Sequence, residues 1–216
     1  MKKMIRNLVA IVMPLLAFSC FASANDYVEG KQYTKVSEQA SSKKEVREYF
    51  SVYCPHCLRF EPFMQEVKKN LPADVSFERN HVDFLRGASP KVQHMVTQAI
   101  VVAEEMDMAD KLVAALFNYV QVQRAVITSE KDIRNIFVLN GADGEKFDKL
   151  MKSFSVINKA KSLKKNQDTL AAKGAIKGVP TIFVNGKYRI NFAELDKNNF
   201  EQDVHNLVKY LTNLDS

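Results

Sequence analysis

Two periodicities share this chain. Short runs rich in Val, Ile, Tyr and Phe predict strands at residues 33–36, 46–52, 76–82, 181–184 and 188–190. Elsewhere the apolar positions recur every three or four residues, as on one face of a helix. Phe60, Phe63, Met64 and Val67 mark a first helix, stopped by Asn70-Leu71-Pro72; Pro62 lies inside it and predicts a kink. Between Phe84 and Gln167 only helical spacing is found: Val92, Val96, Ala99, Ile100 and Ala103; Leu112, Val113, Leu116, Phe117 and Val120; Ile133, Ile136 and Phe137; and Phe147, Leu150 and Met151. Asn140-Gly141 and Asp143-Gly144 punctuate that stretch. A helix over about 155–173 returns to the strands, and Phe200, Val204, Leu207, Val208 and Leu211 form the last one. Strands at both ends of the chain therefore bracket an all-helical middle, without internal repeat or low-complexity linker.

The 216 residues, 46% hydrophobic and 26% charged, suit a packed globular protein and exclude disorder, collagen and coiled coil as the main architecture. The amino terminus carries Lys2, Lys3 and Arg6, then an apolar stretch from Leu8 to Phe21, then Ala22-Ser23-Ala24. Charged region, short apolar region and small residues predict a cleaved secretory signal over residues 1–24, with a retained anchor or a lipoprotein acylated at Cys20 as alternatives. Its removal takes away three cations and no anions, so the formal charge falls from +6 to +3. Lys159, Lys161, Lys164 and Lys165 have no interleaved aromatic residues and read as a solvated helix face, not a nucleic-acid site.

Of three cysteines, cleavage leaves two, both in Cys54-Pro55-His56-Cys57. Haem attachment needs His directly after the second cysteine, and Leu58 stands there. Zinc or iron–sulfur ligation needs further ligands, and His81, His94 and His205 are isolated, as expected of structural histidines. A structural disulfide over so short a loop would constrain little of the unfolded chain. Redox exchange through a Cys54–Cys57 disulfide remains, with no metal and no other cofactor. The motif follows a predicted strand and opens a predicted helix, so Cys54 sits where unpaired N–H groups favour a thiolate. Pro55 suits the first helical turn, and His56 is placed to donate to, or put positive charge near, that thiolate.

Glu-Tyr-Phe-Ser-Val-Tyr-Cys-Pro-His-Cys at 48–57, Phe60-Glu61, His81-Val82-Asp83-Phe84 and Gly178-Val179-Pro180-Thr181-Ile182-Phe183-Val184-Asn185-Gly186-Lys187-Tyr188 resemble the DsbA family of bacterial periplasmic thiol:disulfide oxidoreductases. The resemblance covers nearly all of the chain beyond the signal. It implies an α/β, thioredoxin-like fold with an inserted all-helical domain: a discontinuous thioredoxin-like domain at 25–83 and 168–216, and the insertion at 84–167. It implies a cis Val179-Pro180 bond in a substrate-binding loop facing the disulfide. It also makes Glu48, Glu61 and Arg79 charged groups near the sulfurs, with Glu48 relaying a proton to or from Cys57. Family members often have Lys where Arg79 stands, and Arg holds its proton, so no relay runs through this position.

The expected activity is oxidation of newly exported, reduced and unfolded proteins in the periplasm by a monomer, through a mixed disulfide on Cys54, with reoxidation by a DsbB-like inner-membrane quinone reductase. The alternatives are a disulfide isomerase or reductase, and a thioredoxin-scaffold peptide-binding protein. The short stretch ahead of the first strand argues against an isomerase with its own dimerisation domain.

Overall fold

The structure, a computed structural model, describes residues 27–214; the expected signal over 1–24 lies outside them. Five strands form one sheet: β1 (Tyr33–Lys35), β2 (Glu45–Phe50), β3 (Ser76–His81), β4 (Thr181–Val184) and β5 (Tyr188–Ile190), in the order β1-β5-β4-β2-β3. Only β2 and β3 are parallel, with Glu48 beside Arg79 and Phe50 beside His81. A parallel pair needs a crossover, supplied by helix α1 (Pro55–Lys69). On the other side β2 pairs antiparallel with β4, the central strand, bringing residues far apart in sequence side by side.

The middle of the chain forms α2 (Pro90–Glu105), α3 (Ala109–Phe117), α4 (Glu130–Leu139) and α5 (Gly144–Met151), followed by the long α6 (Phe154–Ala172); α7 (Phe200–Asn213) closes the chain. Local chemistry sets their starts. Ser89 caps α2 ahead of Pro90, Ser129 and Asp132 make a reciprocal capping box on α4, and the Asp143 side chain accepts from Glu145 and Lys146 N–H. Asp143-Gly144 is thus a helix start. At Asn140-Gly141, by contrast, the chain does turn, and Gly141 adopts φ +88°.

Two expectations are corrected in detail. β2 ends at Phe50, not Val52, because the chain leaves the ladder: Val82 N–H donates to Phe50 O, and the Ser51 hydroxyl and carbonyl then take the N–H groups of Tyr53 and Cys54. The helix expected to reach Val120 gives way after Phe117 to a π-helical segment, Asn118–Val122, in which the Gln121 side chain reaches out to Val52 O at 2.9 Å. The helix containing Pro62 runs unbroken from Pro55 to Lys69.

Buried clusters cover both faces of the sheet. Val46, Met64, Val67, Ile182 and Val184 pack with Val204, Leu207, Val208 and Leu211 of α7. Tyr49 and Phe183 face the other way and pack with Val82, Ala175 and Ile176. Phe50, on the same face of β2 as Val46, and Val52 join Val96, Ile100, Leu116, Phe117, Ile133, Phe137 and Phe147 from the helical stretch, and the same cluster includes Cys54 and Cys57. The dithiol motif is therefore buried against the middle helices, although those helices lie downstream of it in sequence. Among the described residues no helix is long and apolar enough to cross a membrane.

Candidate active site

Cys54 is the N-cap of α1, with extended backbone dihedrals, and Pro55 opens the helix, where its missing N–H costs no bond. The Cys54 sulfur accepts the Cys57 N–H at 3.1 Å. Its thiol donates to Val179 O at 3.3 Å across the fold, and the Val179-Pro180 bond is cis, as expected. The two cysteines are unbonded to each other in this structure and both are buried, Cys57 completely and Cys54 with 6% of its surface exposed.

The two thiols are driven in opposite directions. The Cys57 side chain donating to Cys54 is the largest influence on Cys54; with the Cys57 and His56 backbone N–H groups and the nearby Arg59 charge, it outweighs burial and lowers the Cys54 pKa to about 6. Cys57 is pushed up, by that same bond and by its own burial. A backbone hydrogen bond from Ser51 works the other way on Cys57.

The His56 imidazole Nδ1 lies 2.9 Å from the Arg59 guanidinium on the helix surface, and the His56 backbone N–H is among the groups that lower the Cys54 pKa. The cation near the thiolate is Arg59, which the sequence reading missed. A signal was present: the first turns of a helix disfavour cations, and Arg59 sits five residues after the N-cap in a helix whose first turn has no acid.

Glu48, Glu61 and Arg79 are brought together. Arg79 lies between the two carboxylates, 2.5 Å from Glu61 Oε1 and 3.8 Å from Glu48 Oε2, with its guanidinium between the rings of Phe50 and Phe77. Glu61 is further held by Gln65 Nε2 at 2.8 Å. Glu48 is fully buried and neither carboxylate oxygen accepts a hydrogen bond. Desolvation prevails over Arg79, and the Glu48 pKa rises to about 8. Arg79, buried beside two acids, stays charged.

His81, assigned no catalytic role from sequence, lies at the end of β3 next to the motif, with Nε2 3.2 Å from Ser51 Oγ and Nδ1 2.9 Å from Thr97 Oγ1. Among the described residues no cluster of His, Cys, Asp and Glu could hold a metal ion.

A dithiol with one depressed and one raised thiol, at the start of a helix and facing a cis-proline loop, can exchange disulfides. Residues 45–209 match the family described as DSBA-like thioredoxin domain. The chain is 40% identical to the thiol:disulfide interchange protein DsbA of Escherichia coli K12, over 98% of this chain and 99% of that one. It belongs to the DsbA family. The Haemophilus influenzae DsbA is 39% identical over 98% of each chain. Among solved structures, the disulfide oxidoreductase DsbA of Proteus mirabilis is similar with a TM-score of 0.75 at 30% identity, covering 87% of this chain and 97% of that one. The Klebsiella pneumoniae DsbA is similar at 0.73 and 32%, covering 88% and 100%. Family membership and these neighbours make the architecture a thioredoxin-like fold carrying an inserted all-helical segment, and make the chain a DsbA-type thiol:disulfide oxidoreductase.

Proposed function

We propose that the chain is an exported, periplasmic and monomeric oxidant that donates a Cys54–Cys57 disulfide to reduced, unfolded proteins. One observation carries the reading: the Cys54 sulfur accepts an N–H at the helix start while Cys57 is completely buried. Attack is thereby directed at Cys54, and the dithiol state is stabilised by a thiolate that the disulfide state lacks. A client thiolate attacks Cys54 Sγ; the Cys54–Cys57 bond breaks, and its electron pair leaves on Cys57 Sγ, which takes up a proton. A second client thiolate attacks the client sulfur of the mixed disulfide and releases the Cys54 thiolate. The client has then lost two electrons to form its disulfide, and this protein has gained them as a dithiol.

Glu48, protonated near neutral pH, is the candidate donor of the Cys57 proton. Glu61 and Arg79 fix the charge around it. Val179 and Pro180 form the loop that pairs with extended client backbone, and a structural neighbour, the Proteus DsbA solved with a non-covalently bound peptide, supports such binding here. Residues 84–167 form the insertion domain within a thioredoxin-like domain at 25–83 and 168–216. The two electrons then pass to a DsbB-like quinone-linked partner in the inner membrane, and the resident redox group is the disulfide itself.

The test is incubation of the oxidised protein with a reduced, unfolded client containing two cysteines. Stoichiometric formation of the client disulfide, with a mixed disulfide trapped in Cys57→Ser, is the expected result. Reshuffling of wrong pairs without net oxidation would make the protein an isomerase, and binding without exchange would make it a peptide-binding scaffold.

A further inference from the structure

A chain of hydrogen bonds runs from the middle helices to the turn that presents the two cysteines. Gln93 and Thr97 lie on one face of α2, His81 ends β3, and Ser51 follows β2; all four are at most 2% exposed. The Tyr53 N–H donates to Ser51 Oγ at 3.2 Å, and Ser51 Oγ is also 3.2 Å from His81 Nε2. His81 Nδ1 is 2.9 Å from Thr97 Oγ1, and Thr97 Oγ1 donates to Gln93 O at 3.1 Å. Gln93 itself is fixed by bonds from its Nε2 to Leu85 O and Ala88 O, at 2.6 and 2.9 Å.

One tautomer of His81 gives every donor of this chain a partner. Thr97 gives its hydrogen to Gln93 O at 3.1 Å or to His81 O at 3.4 Å, and in either case accepts from His81 Nδ1–H. The bare Nε2 then accepts from the Ser51 hydroxyl, leaving Ser51 Oγ to accept the Tyr53 N–H. Every group has a partner when the imidazole is neutral, and a proton on Nε2 would turn Ser51 from donor to acceptor. Burial holds His81 neutral, lowering its pKa to about 3, and the edges of Phe50 and Tyr53, at 5.6 and 6.4 Å between ring centres, enclose it.

We propose that Thr97, His81 and Ser51 are positioning residues through which α2 holds the cysteine turn, and that this hold favours the dithiol over the disulfide. The inference rests on the oxidoreductase reading. Ser51 is where the chain meets the chemistry, since its carbonyl accepts the Cys54 N–H at 3.0 Å and so holds in place the residue whose sulfur accepts the Cys57 N–H at 3.1 Å. In the dithiol the negative charge rests on the Cys54 sulfur, so holding that sulfur against the Cys57 N–H favours the dithiol. Displacing the Ser51 peptide weakens that hold, while the disulfide, which bears no charge, loses little. The middle helices are in this way tied to the potential of a motif that lies outside them.

The experiment compares Thr97→Val, which keeps the volume and loses the hydroxyl, with Thr97→Ser, which keeps the hydroxyl. Each is equilibrated as full chain with glutathione, and client oxidation is followed in parallel. Loss of one hydrogen bond from the chain predicts a dithiol–disulfide equilibrium shifted about fivefold toward the disulfide in Thr97→Val. Thr97→Ser is expected to stay within about twofold of the parent. Ser51→Ala is the second variant and shifts in the same direction, keeping the test open should Thr97→Val not fold. A purely structural chain would destabilise dithiol and disulfide forms alike and leave the glutathione equilibrium where it was. An unmoved equilibrium in folded Thr97→Val or Ser51→Ala overturns the inference, provided the parent oxidises the client. A parent that fails to oxidise the client overturns the oxidant reading itself.

Discussion

Cys54 and Glu48 are both acids buried within the same fold, on either side of the turn that ends β2, yet their proton affinities move in opposite directions. Cys54 falls to about 6 and Glu48 rises to about 8. Burial raises both. What differs is the supply of donors: the Cys54 sulfur accepts an N–H at a helix start and takes a bond from a second thiol, whereas neither Glu48 oxygen accepts any. The buried Arg79 stands 3.8 Å away from Glu48, close enough to attract and too far to hydrogen-bond. In this interior, directed donors stabilise a negative charge and a nearby cation does not suffice.

The harshest way to break the comparison is to remove the favoured anion. Cys54→Ser is expected to reduce client oxidation to the uncatalysed background, because Cys57 is fully covered and cannot be attacked in its place. Rapid oxidation by that variant would show that burial does not select the sulfur. Next in size, Arg79→Met leaves Glu61 and Glu48 without their shared cation, and breaking a buried pair from one side costs about 3–5 kcal/mol. Urea unfolding measures this, and a loss below about 1 kcal/mol would mean that the cation does not hold the cluster together.

Glu48→Gln sharpens the contrast through pH. A carboxyl whose folded pKa is raised contributes fully to stability below its unfolded value, near 4.5, and that contribution is lost as pH rises toward 8. Replacing it with neutral Gln is therefore expected to stabilise the fold by on the order of 4 kcal/mol at pH 8, with the gain vanishing near pH 4. A stability difference independent of pH would place the Glu48 pKa near its ordinary value. The smallest effect belongs to the surface. His56→Ser frees Arg59 from its partner and Arg59→Met removes the charge; Arg59→Met is expected to raise the Cys54 pKa by less than about one unit, fading in high salt. Thiolate absorbance against pH tests both, and a large, salt-independent rise in His56→Ser would assign a direct role to the imidazole.

Much of this arrangement was legible in the sequence because it is local. Strand, Cys54-Pro55, and a helix with apolar Phe60, Phe63, Met64 and Val67 follow from period and capping, and they place Cys54 at a helix start without any tertiary information. The positions that the sequence reading missed or misjudged are those decided by neighbours distant in sequence or by side-chain direction. Arg59 meets His56, which spacing permits but does not require. The end of β2 is set by Val82 and by the Ser51 hydroxyl, and the π segment at Asn118–Val122 coincides with the reach of Gln121 to Val52 O. His81 looked like an isolated histidine because its partners, Ser51 and Thr97, lie 30 and 16 residues away in sequence. Glu48 and Arg79 were grouped from the family resemblance; the strand register that makes them neighbours, with β2 parallel to β3, is a property of the sheet.

The central claim is that directed donors on Cys54 stabilise the dithiol and make the protein an oxidant. Equilibration of the Cys54/Cys57 pair with glutathione across pH 5–8 tests it most directly. The thiolate contribution is fully present above the unfolded thiol pKa and is lost as pH falls through about 6, so the pair is expected to become a relatively stronger oxidant, against glutathione, as pH rises above that value. At neutral pH the account predicts a potential well above the roughly −270 mV of a reducing thioredoxin. A value as reducing as that one, with no inflection near pH 6, would contradict it.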